Sequence, residues 1–145
     1  GGCMKQIEEY SYQCGVMDCF SEMVKAGLKR IALSHPSSTK EIRDQYIPFA
    51  ENICDKYQIH YYLDDDPLIT DLFPASMNQN TYNIIFYKDE NDIEEYRTLK
   101  KLKVKVIENK EYEKYRYEIA YRFGKLLSYS DETIQNYIQN NDEKE

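Results

Sequence analysis

Cys14 and His35 are the side chains in this sequence best placed for nucleophilic or acid–base chemistry. A thiol becomes a useful nucleophile when an imidazole or a helix N-terminus favours the thiolate, and a carboxylate from Asp64 or Asp66 would orient such an imidazole. His35 stands where the apolar run Ile31-Ala32-Leu33 passes into Ser34-His35-Pro36-Ser37-Ser38-Thr39-Lys40-Glu41. The proline biases it towards an extended conformation at a surface turn. Ser34, Ser37, Ser38 and Thr39 add hydroxyls and backbone N–H groups at the opening of the next helix, where a phosphate or carboxylate can bind. Each of these residues also has a plain use. Cysteine often fills a core, a loop histidine serves a hydrogen bond, and Ser38 with Glu41 has the spacing of a capping box.

The elements that must position these groups follow from periodicity. Residues 5–26 place Ile7, Tyr10, Cys14 and Met17 on one helical line, while Gly15 predicts a kink or break as readily as a straight helix. Gly27 suits a left-handed cap, and a strand over 30–34 follows. Five strand residues cover about 16 Å, which about eleven helical residues match. Counting back about eleven residues from Ala26 lands on Gly15 and sets Cys14, Gly15 and Asp18 level with His35, with Gly15 open to a substrate's approach. A helix over 39–57 is bent at Pro48. A strand over 59–63 ends in Asp64-Asp65-Asp66-Pro67, and residues 68–80 read as a short helix and a long loop, placed to act as a lid. A strand over 82–87 leads to Lys88-Asp89 and to helices over 91–105 and 110–127. Ser130 caps a last short helix.

This alternation predicts an α/β fold: a small three-layer domain with a short, mostly parallel sheet of about three strands and additional C-terminal helices. Ligands of such sheets bind outside the carboxyl ends of the strands, which here carry Ser34-His35, Asp64–Asp66 and Lys88-Asp89. Three strands leave an edge for the C-terminal helices, or for a second subunit in a homodimer, to cover. The expected domain spans 4–140, with 1–3 read as an expression scar and 141–145 as a frayed tail.

A chain of 145 residues buries about 70% of its unfolded surface, and with 41% hydrophobic and 14% aromatic residues it is not expected to be disordered. The formal charge of −7 argues against a general nucleic-acid binder and against an anionic membrane surface. No apolar run approaches the length of a membrane span and no signal-peptide layout opens the chain, so the expected compartment is the cytoplasm. Four cysteines in that setting read as free thiols. Cys14 and Cys19 lie about 140° apart on a helix, so a zinc site is not expected. The Asp64–Asp66 run offers oxygen ligands for Mg²⁺, but such runs are usually solvated turns. No glycine-rich phosphate loop is present, and no motif specifies a cofactor.

One regional imbalance competes with the strand-end site. Between 97 and 125 there are ten Lys/Arg against four Glu, with Tyr112, Tyr115, Tyr117 and Tyr121 interleaved. The sequence thus supports two functional classes. In the first, a small anionic metabolite is bound or transformed at the strand ends, with Cys14, His35 and Asp64 or Asp66 as the reactive set and Gly15, Asp18, Ser34, Ser37, Ser38 and Thr39 around the ligand. In the second, the basic helices form a non-catalytic module for protein or RNA.

Overall fold

Every side chain of the strand Asn83–Tyr87 (β3) is buried, because β3 is the middle strand of a three-stranded sheet with helices on both faces. A computed structural model describes residues 8–145. The strands Ile31–Leu33 (β1) and His60–Asp64 (β2) flank β3, and both run antiparallel to it. Ile31 and His60 sit opposite Tyr87, and Asp64 sits opposite Asn83. Side chains alternate along β3 with a period of two, as a pleated strand demands. Ile84 and Phe86 join the core under the first and third helices, whereas Ile85 and Tyr87 join the core under the last three.

The helix Glu9–Lys25 (α1) runs unbroken through Gly15 and buries Cys14, Met17, Ser21 and Val24. Tertiary burial of that line outweighs the weak helix propensity of a single glycine. A Cβ at Gly15 would meet nothing within 4 Å. Gly15→Ala should therefore raise stability by about 0.5–1 kcal/mol, read as a higher urea midpoint at constant slope; an unchanged or lower midpoint would refute it. The helix closes with Gly27 at φ +81, its N–H bonded to the Val24 carbonyl at 3.1 Å and that of Leu28 to Met23 at 2.9 Å. These two bonds form a Schellman cap.

The helix expected over 39–57 is two helices, Lys40–Asp44 (α2) and Ile47–Tyr57 (α3), with Pro48 in the first turn of α3, where its missing N–H costs nothing. Thr39, not Ser38, caps α2 by accepting from the Ile42 N–H at 3.1 Å. After β3 come Glu90–Glu108 (α4), Tyr112–Leu126 (α5) and Asp131–Asn140 (α6), capped in the last case by Ser130 as expected. α1 and α3 cover one face of the sheet and α4, α5 and α6 the other.

The three layers match the sequence expectation, but the sheet is not mostly parallel. β1 and β2 do run the same way, linked by α2 and α3. Between β2 and β3, however, only one 3-10 turn, Ala75–Met77, is present. With no helix to carry the chain across the sheet, it re-enters at the end where it left, so β3 must be antiparallel. The continuous apolar run of β3 comes from its central position, not from a parallel sheet. Lys88-Asp89 consequently lies at the opposite end from His35 and Asp64.

The residues expected at the very start of the chain, the scar over 1–3 and Ile7 of the first helical line, lie outside the described residues. Residues 141–145, where the pattern predicts fraying, carry specific bonds: Asn141 donates through Nδ2 to the Asp71 and Phe73 carbonyls, both at 3.0 Å, and Ala75 N–H donates to the Glu143 carbonyl at 2.9 Å. Among the described residues no helix is long and apolar enough to cross a membrane.

Candidate functional site

The carboxyl ends of β1 and β2 and the start of β3 meet at one end of the sheet, and two buried polar hubs knit them together. Arg43 is one, with its side chain only 1% exposed. Its guanidinium donates to the carbonyls of Asp64 at 3.2 Å and Asn83 at 3.0 Å, and to the carboxylates of Asp44 at 2.8 Å and Asp65 at 2.5 Å. Burial opposes the Arg43 charge, but the bonds and charges of Asp44 and Asp65 outweigh it and hold the group ionised. In return, the hydrogen bond from Arg43 holds Asp65 below the usual carboxylate range.

Asp64 is the second hub. It accepts from Lys100 Nζ at 2.7 Å, from the Tyr96 hydroxyl and from the Asp66 N–H at 3.2 Å. Burial, followed by the Asp64 charge, pushes the Tyr96 hydroxyl well above its ordinary range, so it stays a proton donor. These carboxylates orient chain segments. Asp66 is exposed and touches the hub only through its backbone.

Cys14 does not join His35. The residues of α1 that border the histidine are Gln13 and Met17. Cys14 turns into the core beside Tyr10 and Tyr46, where burial pushes its thiol up, away from the thiolate. Gly15 and Asp18 lie on the outer side of α1, and Asp18 accepts from the Tyr57 hydroxyl at 2.5 Å. Cys54 is a core thiol pushed by burial to about 11, whereas Cys19 is exposed. Ser34 extends the ladder beyond β1: its N–H donates to the Ile84 carbonyl and its hydroxyl accepts from the Ile84 N–H, both at 2.8 Å. Ser37 pairs with Tyr82 through the backbone, leaving Ser38 and Thr39 exposed at the start of the five-residue α2. Among the described residues no group of three or more His, Cys, Asp and Glu could hold a metal ion.

His35 itself lies exposed at a cavity of about 320 Å³. Tyr12, Gln13, Val16 and Phe20 of α1 form one wall and Phe73, Met77, Asn78 and Asn83 the other, with Leu33 and Ser34 between them. A smaller cavity of about 110 Å³ shares Phe20, Leu33 and Phe73 and is completed by Lys29, Leu127 and Tyr129. No family model, curated protein or solved structure matches this chain.

Two polar groups at this pair of cavities are not neutralised by the protein. Asn83 is 2% exposed, and its Oδ1 has no hydrogen-bond partner. Lys29 donates to the Leu127 carbonyl at 3.2 Å and lies 5.7 Å from the Phe20 ring centre and 5.6 Å from that of Tyr129, with no carboxylate in ion-pair range among the described residues. Burial lowers its pKa, the mark of a cation lacking a counter-ion. A buried amide without its bonds costs about 1–3 kcal/mol, so a ligand that satisfies it is favoured.

The sequence pattern located Ser34 and His35 but not Asn83, Lys29, Gln13, Phe20 or Phe73. The available signal was Asn83, an amide opening an otherwise apolar strand. Lys29, two residues after Gly27, stands where a cation also complements the end of a helix dipole.

Proposed function

We propose that the chain binds a small anionic ligand with an aromatic body in the paired cavities beside β1. What carries the reading is the placement of an Asn83 Oδ1 without a hydrogen-bond partner and a Lys29 ammonium without a counter-ion, among the described residues, along one aromatic-lined concavity. The ligand's ring lies between Phe20 and Phe73, its carboxylate or phosphate faces Lys29, and a polar ring substituent meets Asn83. Ligand pockets characteristically combine an apolar lining with a few such orienting groups. His35 at the mouth supplies a further hydrogen bond. The activity is binding, since the thiol of Cys14 faces the core and Asp64 is spent on Lys100 and Tyr96.

Thermal unfolding across aromatic carboxylates and aryl phosphates, with inorganic phosphate as the control, tests this. A ligand at 100 times its Kd adds about 2.7 kcal/mol to native stability, which moves the midpoint by several degrees in a chain of this size. The expected result is a shift with at least one hydroxylated aromatic acid, abolished by Lys29→Met and weakened by Asn83→Leu. No shift with any member, or a shift that both variants retain, rejects the reading.

A further inference from the structure

We propose that a second concavity, between residues 66–69 and the C-terminal half of α4, docks an acidic amphipathic peptide segment of a partner protein. This groove, of about 710 Å³, is separate from the cavities beside β1 and shares no lining residue with them. Pro67, Leu68 and Ile69 form one wall, and α4 forms the other.

The α4 wall follows from helical geometry. The core takes Ile93, Tyr96, Leu99 and Val106, which leaves Val104 and Ile107 on the neighbouring line, 56% and 49% exposed. Around these two apolar side chains stand Lys100, Lys101, Lys103 and Lys105. Lys100 is held by Asp64, and Lys103 donates to the Ile69 carbonyl at 2.6 Å. Lys101 and Lys105 have no carboxylate in ion-pair range among the described residues, and Glu108 is the one acidic group in the wall of α4. Elsewhere on 97–125 the cations are largely spent: Arg97, Arg116, Arg122 and Lys125 pair with Glu94, Asp71, Glu95 and Asp131. Of the basic stretch read from the sequence, Lys101 and Lys105 stand unpaired at the rim of this groove, and Lys110 and Lys114 stand unpaired outside it, among the described residues.

The chain itself shows what kind of group this rim accepts. At the groove's end the Glu145 carboxylate receives a bond from Lys103, and its carbonyl accepts from Arg116 at 2.6 Å. The neighbouring Glu143 offers its carbonyl to the Ala75 N–H and its carboxylate to the Ser76 hydroxyl. Within the groove itself it is the Lys103–Glu145 pair that shows the rim holding an acidic side chain. Tyr112, which also lines the groove, has a hydroxyl buried from solvent and without a partner.

The occupant follows from these chemistries. Apolar side chains of the segment cover Val104 and Ile107 while its carboxylates reach Lys101 and Lys105. On a chain of formal charge −7 this rim is a local attraction for acidic sequences that the rest of the surface repels. Nucleic acid is the weaker fit, because stacking needs exposed aromatic faces and the rim residues between the lysines are Val104 and Ile107.

The test uses the full chain and a fluorescent peptide of about sixteen residues with Glu or Asp alternating in blocks with Leu and Phe, long enough to span a surface patch of this kind. Controls are its Gln/Asn counterpart, a uridine oligonucleotide and phosphatidylserine vesicles. Anisotropy should report saturable binding of the acidic peptide that weakens as salt rises. Lys101→Glu with Lys105→Glu should cost at least roughly tenfold in affinity, and Ile107→Ser should weaken binding without altering its salt dependence. Glu145→Gln should tighten it, since Lys103 is released. Circular dichroism confirms that these surface variants fold. The proposal is overturned if the amide peptide binds equally well, if the lysine reversals leave affinity unchanged, if the acidic peptide does not bind, or if oligonucleotide or vesicles bind more tightly through the same lysines.

Discussion

Arg43→Ala should destabilise the chain by about 3–5 kcal/mol, a large share of the roughly 5–15 kcal/mol that holds an ordinary domain together. The loss comes mainly from two bonds to buried carbonyls, Asp64 at the end of β2 and Asn83 at the start of β3. Hydrogen bonds from a charged donor contribute about 1.5–3 kcal/mol each, and the vacated stem leaves a cavity. The partners Asp44 and Asp65 have side chains 42% and 52% exposed, so solvent screens their share. Arg43→Lys should recover only part of the loss, because an ammonium cannot serve four acceptors in the directions a planar guanidinium does. Urea unfolding at neutral pH reads both values; a loss below about 1 kcal/mol for alanine would show that the carbonyls find other donors. The pair also sets an acid limb. Asp65 is depressed in the folded state, so its contribution is complete above the ordinary carboxylate pKa and disappears as pH falls through its lower native value. In Arg43→Ala that part of the acid limb should flatten.

Features encoded locally were legible in the sequence, and features set by partners far along the chain were not. Gly27 and Ser130 announce their helix ends because a cap is decided within a few residues. The strands of the sheet are visible as short apolar runs, but direction is not written into such a run. Asn83–Tyr87 would look the same in either orientation, and what fixes it is the missing crossover helix before it. Gly15 overstated its effect because propensity is a weak term beside four buried side chains on the same face. At the site, the rise per residue of a helix set Cys14 level with His35, yet rise says nothing about azimuth. One residue is about 100° of rotation, enough to put Gln13 beside the cavity and Cys14 in the core. Asp64 read as an orienting carboxylate or as part of a solvated turn, not as a buried hub, because its partners, Tyr96 and Lys100, lie more than thirty residues away.

Tyr96→Phe should cost about 2–4 kcal/mol, although it removes a single oxygen. The ring remains packed against Phe123, whose centre is 6.0 Å away, so the apolar contribution is retained. What disappears is a hydroxyl that works in both directions. It donates to the buried Asp64 carboxylate and accepts from the Leu68 N–H at 2.9 Å. Asp64 keeps Lys100 and the Asp66 N–H, but Leu68 is left with a buried donor and no acceptor. The stability loss appears in urea unfolding, and the mechanism appears in native-state hydrogen exchange, where the Leu68 amide should lose protection by more than the global change accounts for. An equal loss at all core amides would mean that the hydroxyl stabilises the fold without anchoring this segment. Because Leu68 is one wall of the groove beside α4, the same variant should also weaken the acidic peptide while leaving Lys101 and Lys105 untouched. A buried tyrosine at the sheet end thereby holds in place a surface more than one side chain away.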